Sequence, residues 1–118
     1  MGDVDRDLLV EIAGGEAEAA ELLRLYFDSA RRVLKDLRSA IGSRDRVALN
    51  KAAHQLAGAA GTCGFMELEQ RARAVEMEAD IESWDGLAQR AGQLAERLAR
   101  AKEDARARFP AFAKGADA

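Results

Sequence analysis

Apolar residues recur every three or four positions through most of this chain, the spacing of helices that bury one face. A short first run covers about residues 4–13. A long second run extends from about Glu16 to Ile41 and stops at Gly42, a residue suited to the end of a helix. The apolar positions of these two runs are Val4, Leu8, Leu9 and Ile12, then Leu22, Tyr26, Ala30, Val33, Leu37 and Ala40.

Three more runs follow the same spacing. The third helix is predicted over about residues 44–61, the fourth after Gly64, and the fifth from a cap at Ser83. The tail 111–118 is predicted to be frayed. The apolar positions of the three runs are Leu49, Ala52, Leu56, Ala60 and Cys63; Phe65, Leu68, Ala72, Val75 and Ala79; and Leu87, Ala91, Leu94, Leu98, Ala101 and Ala105.

Four long amphipathic helices joined by short connections favour antiparallel neighbours. We therefore predict an all-α single domain over residues 1–118, an up-down four-helix bundle at about 16–109 with a short extra helix at about 4–13. No alternation of β-branched or aromatic residues with polar ones indicates a strand. The 118 residues suffice for one modest core.

Charge and composition narrow the choice of partners. A net charge of −3 argues against general nucleic-acid binding, and no apolar run approaches the roughly 20 residues of a membrane span. The acidic start lacks the basic-then-apolar order of a secretion signal. Cys63 is the only cysteine and allows no internal disulfide, which indicates a reducing cytoplasm. We expect neither nucleic acid nor membrane as a partner.

The one histidine, His54, is predicted to point into solvent. At about 100° per residue it lies roughly 160° from Leu56 and 140° from Leu49. A glycine inside a helix costs about 0.5–1 kcal/mol relative to alanine, so Gly58, one turn from the ring, indicates a surface cleared for a partner. The residues that share this face and would border a partner are Val47, Asn50, Lys51, Ala57, Gly58 and Gly61.

Several chemistries are excluded by missing residues. A structural zinc site needs about four ligands, but the chain has one histidine and one cysteine. The Glu-x-x-His motif of di-iron bundles is also absent. The chain has no nucleophile elbow and no glycine-rich phosphate loop, so we expect neither a hydrolase nor a kinase. What remains is an imidazole nucleophile that takes a group from one partner and gives it to another. We expect no metal and no cofactor in the chain itself.

The segment around the histidine resembles the signature of histidine-containing phosphotransfer (HPt) domains, A-H-x-L-x-G-A-A-x-x-x-G. The matching string is AHQLAGAAGTCG, from Ala53 to Gly64. The string GTCGF also resembles the equivalent segment in the phosphotransfer domain of chemotaxis histidine kinases. The resemblance extends from about Ala20 to Phe109 and includes the order of the helices.

The resemblance implies a phosphorelay protein of two-component signalling. His54 would carry a phosphoryl group on Nε2 and exchange it with an aspartate of a response-regulator receiver domain. That receiver would supply the Mg²⁺ and the acidic pocket, and a hybrid histidine kinase is the other implied partner. Gly58 would leave room for the phosphoryl group and the docked receiver.

One position departs from the family pattern. Many members carry a lysine three residues after the histidine, where this chain has Ala57. That lysine would stabilise the phosphoryl oxygens, so its loss leaves the stability of the phosphorylated form open. Lys51, three residues before His54, either takes this part or is an ordinary solvated lysine.

Two further residues are expected near the ring. A hairpin that turns around residues 64 and 65 places Glu76 opposite His54. Related domains have Glu or Gln at this point, bonded to Nδ1, which would fix the tautomer and leave Nε2 as the nucleophile. Arg73, one turn earlier, either pairs with Glu76 or reaches the phosphoryl group. The alternative for both is a surface ion pair of little energetic value.

Two other functions stay open beside the phosphorelay. The first is an HPt-like adaptor that binds a receiver or kinase without carrying phosphate, which the loss of the lysine permits. The second is a generic helical scaffold, in which His54 has no role. The remaining residues of note, Cys63, Met66, Met77 and Trp84, are predicted to pack into the core or close helix ends.

Overall fold

The computed structural model describes residues 4–116 and is helical over nearly all of them. The prediction of an all-α chain is confirmed, with six helices and no strand within that range. The helices are α1 Arg6–Ala13, α2 Glu16–Gly42, α3 Arg46–Thr62, α4 Met66–Glu78, α5 Trp84–Arg108 and α6 Pro110–Ala116.

Side-chain caps fix where three of the helices begin. Asp5 accepts a hydrogen bond from the backbone N–H of Leu8 at the start of α1, and Asp45 accepts one from Ala48 at the start of α3. Ser83 accepts one from Gly86 at the start of α5. Each cap satisfies a backbone donor that has no partner within the helix, which stabilises that helix end by about 1 kcal/mol.

The four longest helices contact one another in a ring. Helix α2 packs against α3 and α5, and α4 packs against the same two helices. The predicted apolar stripes of α3 and α4 are buried in full, whereas Leu22, Val33 and Leu98 lie half-buried at the edge of the core. The largest side chains that are fully buried are Phe65, Phe109, Phe112, Leu9, Leu23, Leu37, Leu49, Leu56, Leu68, Leu87 and Leu94.

The turn between α3 and α4 depends on a glycine. Gly64 has a φ of +75°, a conformation that side-chain-bearing residues rarely adopt. A Cβ added there would also come within 2.5 Å of Leu8 Cδ2, because α1 lies against the turn. Of the four apolar positions predicted for the first run, Val4 and Leu9 are buried, whereas Leu8 and Ile12 are 37% and 47% exposed.

The frayed tail predicted for residues 111–118 is wrong as far as residue 116. Pro110 begins α6, where its fixed φ suits the first turn of a helix. The Phe112 ring is buried, and its centroid lies 5.6 Å from that of Phe27. This long-range contact gives α6 a place against α2 and α5. Residues 117 and 118 lie outside the described range.

Of the four residues predicted to pack into the core or close helix ends, two are at least half-buried and two are exposed. Cys63 is buried, and burial raises the pKa of its thiol to about 11. Trp84 is half-buried beneath the guanidinium of Arg46, 4.2 Å from the ring centroid. Met66 and Met77 are instead 66% and 80% exposed, so the prediction is wrong for both. Each lies at an end of α4 with its side chain outside the ring of helices.

Helices that cross a bilayer are both long and apolar. None of the helices formed by residues 4–116 combines the length and the apolar character needed to cross a bilayer.

We expect Phe112→Ala to lower the free energy of unfolding by about 3 kcal/mol, because a fully buried ring leaves a cavity between α6 and α2. The measurement is the midpoint of urea unfolding. Lys114→Ala, on the exposed side of the same helix, is the control and should unfold as the wild type does. Equal midpoints for all three proteins would contradict the packing of α6.

Candidate functional site

Helix α3 presents His54 to solvent. The side chain is 65% exposed, whereas Leu49 and Leu56 on the other side of the helix are buried. The predicted orientation of the histidine is therefore confirmed. Helix α3 packs against α2 on one side and α4 on the other, and the imidazole stands in the strip of α3 that stays exposed.

Helix α4 places a carboxylate against the ring. Glu76 Oε2 lies 2.7 Å from His54 Nδ1, and the Glu76 side chain is 22% exposed. The contact expected from the hairpin geometry is thus present. It joins residues 22 positions apart, so it depends on the register between α3 and α4.

Two other side chains hold Glu76 in position. Arg73 Nη1 donates to Glu76 Oε1 at 3.1 Å, so each carboxylate oxygen has its own partner. Asn50 Nδ2 donates to the Glu76 backbone carbonyl at 3.0 Å, which ties α3 to the same residue. Of the two possibilities left open for Arg73, the structure shows pairing with Glu76 and a second, longer contact of 3.6 Å with Glu69.

The protonation of the site follows from these contacts. Partial burial acts to raise the pKa of the Glu76 carboxyl, but the hydrogen bonds and charges of His54 and Arg73 lower it below its ordinary value of 4.5. Glu76 is therefore ionised at neutral pH and can only accept hydrogen bonds. His54 Nδ1 must then carry the proton, which leaves Nε2 with a free lone pair in the neutral ring.

The space beside the ring is open at one glycine and filled at the other. A Cβ added to Gly58 would meet no atom within 4 Å. A Cβ added to Gly61 would come within 2.7 Å of Glu69 Oε2, so Gly61 admits a side chain of α4. The two glycines on this face therefore differ: Gly58 leaves open space, whereas Gly61 leaves space for the side chain of Glu69.

Ala57 was predicted on the exposed face with His54, and this placement is wrong. Its side chain is fully buried. At about 100° per residue Ala57 lies roughly 60° from His54, on the side where Asn50 and Glu76 meet. Helix α4 covers that side, and a methyl group there is enclosed between the two helices.

Lys51 and Val47 lie on the exposed strip of α3, as predicted, while Asn50 is half-buried because it bonds to α4. Lys51 precedes His54 by one turn and lies on the flank of the ring away from Glu76, about 60° from the histidine on the helix. Among residues 4–116 it has no ion pair. Val47 is 81% exposed.

Two contacts that hold the site together are not predicted by the sequence pattern. Asn50 bonds to α4, and Arg46 Nη1 donates to the carbonyls of Ala79 and Glu82 at 2.6 and 3.1 Å. The only sign of these contacts in the sequence is that Arg46 and Asn50 precede His54 at four-residue spacing.

Within the described range, no three His, Cys, Asp or Glu side chains are grouped so that they could hold a metal ion.

One of the comparisons with known proteins finds a match. The family model for the Hpt domain matches residues 21–104, from the second turn of α2 to near the end of α5. No curated protein and no solved structure matches the chain. Hpt domains are phosphocarrier modules, not kinases, and interact with receiver domains and kinases in two-component phosphorelays. Because the match covers more than two thirds of the chain and includes His54 and Glu76, this protein belongs to the Hpt domain family.

Proposed function

We propose that His54 is a phosphoryl carrier that accepts a phosphoryl group from a receiver-domain aspartate and returns it to another. The observation that carries the proposal is the contact between Glu76 Oε2 and Nδ1, because it assigns the proton to one ring nitrogen and frees the other. No described residue hydrogen-bonds to Nε2. The exposed ring therefore offers a lone pair to a partner protein.

In the forward step the Nε2 lone pair attacks the phosphorus of the aspartyl phosphate. The N–P bond forms as the P–O bond to the aspartate breaks, and the aspartate leaves as a carboxylate with that electron pair. Donor and acceptor atoms must be in line, which requires an open approach to Nε2. The receiver, in this proposal, supplies Mg²⁺ and the acidic pocket, and the reverse step returns the group to an aspartate.

Glu76 has a second effect during transfer. When Nε2 bonds to phosphorus while Nδ1 keeps its proton, the ring becomes cationic, and the carboxylate 2.7 Å away stabilises that charge. Arg73 keeps this carboxylate ionised and in one orientation by binding Oε1. Lys51, free of ion pairs in the described chain and one turn away, is the cation we propose for the phosphoryl oxygens in place of the family lysine.

Access to Nε2 depends on the α3 surface. Gly58, with open space where a Cβ would be, borders the ring on the side of Lys51, and Val47 and Asn50 border it toward the start of α3.

The short connections 43–45, 63–65 and 79–83 between α2, α3, α4 and α5 support an antiparallel up-down four-helix bundle as the scaffold.

A second candidate is an adaptor that docks a receiver without taking its phosphate. Ala57 favours it, since a methyl group buried under α4 provides no cation for phosphoryl oxygens. The two candidates share one docking face and differ only in whether His54 becomes labelled.

We expect receiver domains charged with labelled acetyl phosphate to transfer phosphate to the wild-type protein, as a label lost in acid and kept in base. His54→Gln should abolish the label while the free energy of unfolding in urea stays within about 0.5 kcal/mol of the wild-type value, because the side chain is mostly exposed. Purified receivers of one organism are tested in turn. Label that persists in His54→Gln would contradict the proposal, and a receiver that binds without labelling would establish the adaptor.

We expect Gly58→Leu to slow transfer by at least about tenfold while it keeps or raises stability, since leucine is the better helix former. The new side chain would occupy the open space beside the ring. Gly92→Leu on α5 is the matched control, because a Cβ there also meets nothing within 4 Å. Transfer that is equally fast in both variants would show that the space beside Gly58 is not used.

We expect Glu76→Ala to slow transfer by about tenfold, and Glu76→Gln by less, because the amide oxygen can still accept a hydrogen bond from Nδ1–H.

NMR titration should give Glu76 in the wild type a pKa below 4.5. The stabilisation from its ionised form is present above the unfolded-state pKa and is lost as pH falls through the lower folded-state value. Arg73→Gln should move the Glu76 midpoint upward. An unchanged midpoint and rate would contradict the positioning role of Glu76.

A further inference from the structure

Three large apolar side chains near the histidine are almost fully exposed. Val47, Met77 and Ile81 are 81%, 80% and 81% exposed, more than any other large apolar residue of the described chain. They come from α3, from the last turn of α4 and from the connection to α5. We name these three residues the apolar strip. Because they lie outside the core, their apolar surface is available to a partner protein.

Hydrogen bonds bring the three parts of the strip to one end of the molecule. Val47 follows Arg46, whose guanidinium donates to the carbonyls of Ala79 and Glu82 on either side of Ile81. Met77 follows Glu76, the residue that receives the bond from Asn50.

The same contacts make the backbone of the strip rigid. The Arg46 guanidinium also stacks on Trp84, 4.2 Å from the ring centroid, so both ends of the α4–α5 connection are held against α3. A surface ordered before binding loses little conformational entropy when a partner docks.

The strip falls within the area that a partner of His54 must cover. Val47 is seven residues before His54, which places it about 10 Å away along α3 and about 20° around the helix. A protein–protein interface of ordinary size buries about 800 Å² per partner, equivalent to a disc with a radius of about 16 Å. A receiver centred on Nε2 therefore extends over Val47 and over the end of α4.

We propose that the apolar strip determines which receiver domain docks on this protein, through apolar side chains that the receiver presents beside its phosphorylated aspartate. The inference rests on the proposed function for the identity of the partner. Val47, Met77 and Ile81 have no ionisable group, so the strip contributes affinity and no chemical step. Loss of its apolar character should weaken docking and leave the transfer rate at saturation unchanged.

The test compares Val47→Thr/Met77→Gln/Ile81→Thr with the wild type. The probe is the receiver that labels the wild-type protein fastest, or, if none labels it, the receiver that binds it most tightly. Met66→Gln is the matched control, since Met66 is also an exposed methionine of α4, 66% exposed, but lies eleven residues from Met77. Met77→Gln alone completes the pair.

We expect the triple variant to raise the half-saturating receiver concentration and the dissociation constant by at least about tenfold, with an unchanged maximal rate. Met66→Gln should match the wild type and Met77→Gln should fall between. Unchanged binding by the triple variant, or an equal effect from Met66→Gln, would overturn the inference. A wild type that binds but is never labelled would overturn phosphotransfer alone, because the binding constants still test the strip.

Discussion

An imidazole on an open helix surface rotates and exchanges its proton between two nitrogens unless a second element holds one of them. Here that element is α4, and the hydrogen bond between Glu76 Oε2 and His54 Nδ1 is the interaction on which the site depends. It sets the tautomer, orients the ring and places a negative charge where the proposed phosphorylation would make the ring cationic. The ring can be oriented and exposed at once because its support comes from the side.

This bond requires a fixed register between α3 and α4, and the surrounding polar contacts maintain that register. Asn50 and Arg46 both bind backbone carbonyls of the α4 end and its following connection. Backbone carbonyls are fixed points, so such bonds set the position of a helix more firmly than an exposed ion pair would. The buried apolar stripes provide most of the stability, and these few directional bonds choose the alignment.

The surface around the ring differs in character from one flank to the other. On the side of Glu76 the polar groups are paired and partly buried, whereas Gly58 and Lys51 border open space on the other flank. Toward the start of α3 the surface becomes apolar at Val47, Met77 and Ile81. A partner would therefore meet the Nε2 atom of His54, the Lys51 ammonium group and an apolar area within one footprint, which suits a docked protein better than a small molecule.

The sequence by itself determined the helices, the buried stripes of α3 and α4 and the outward direction of His54, because a period of 3.6 residues assigns each residue to a side of its helix. It also predicted that Glu76 lies opposite His54, because a short turn fixes which residues of the two helices lie at the same height. Only the tertiary structure decided how far α4 wraps around α3, which buries Ala57 and draws in Asn50. It also decided that Phe112 packs against Phe27 and that the Met77 side chain is left 80% exposed. Contacts between distant segments depend on the packing of whole helices, and local spacing along the chain carries no information on them.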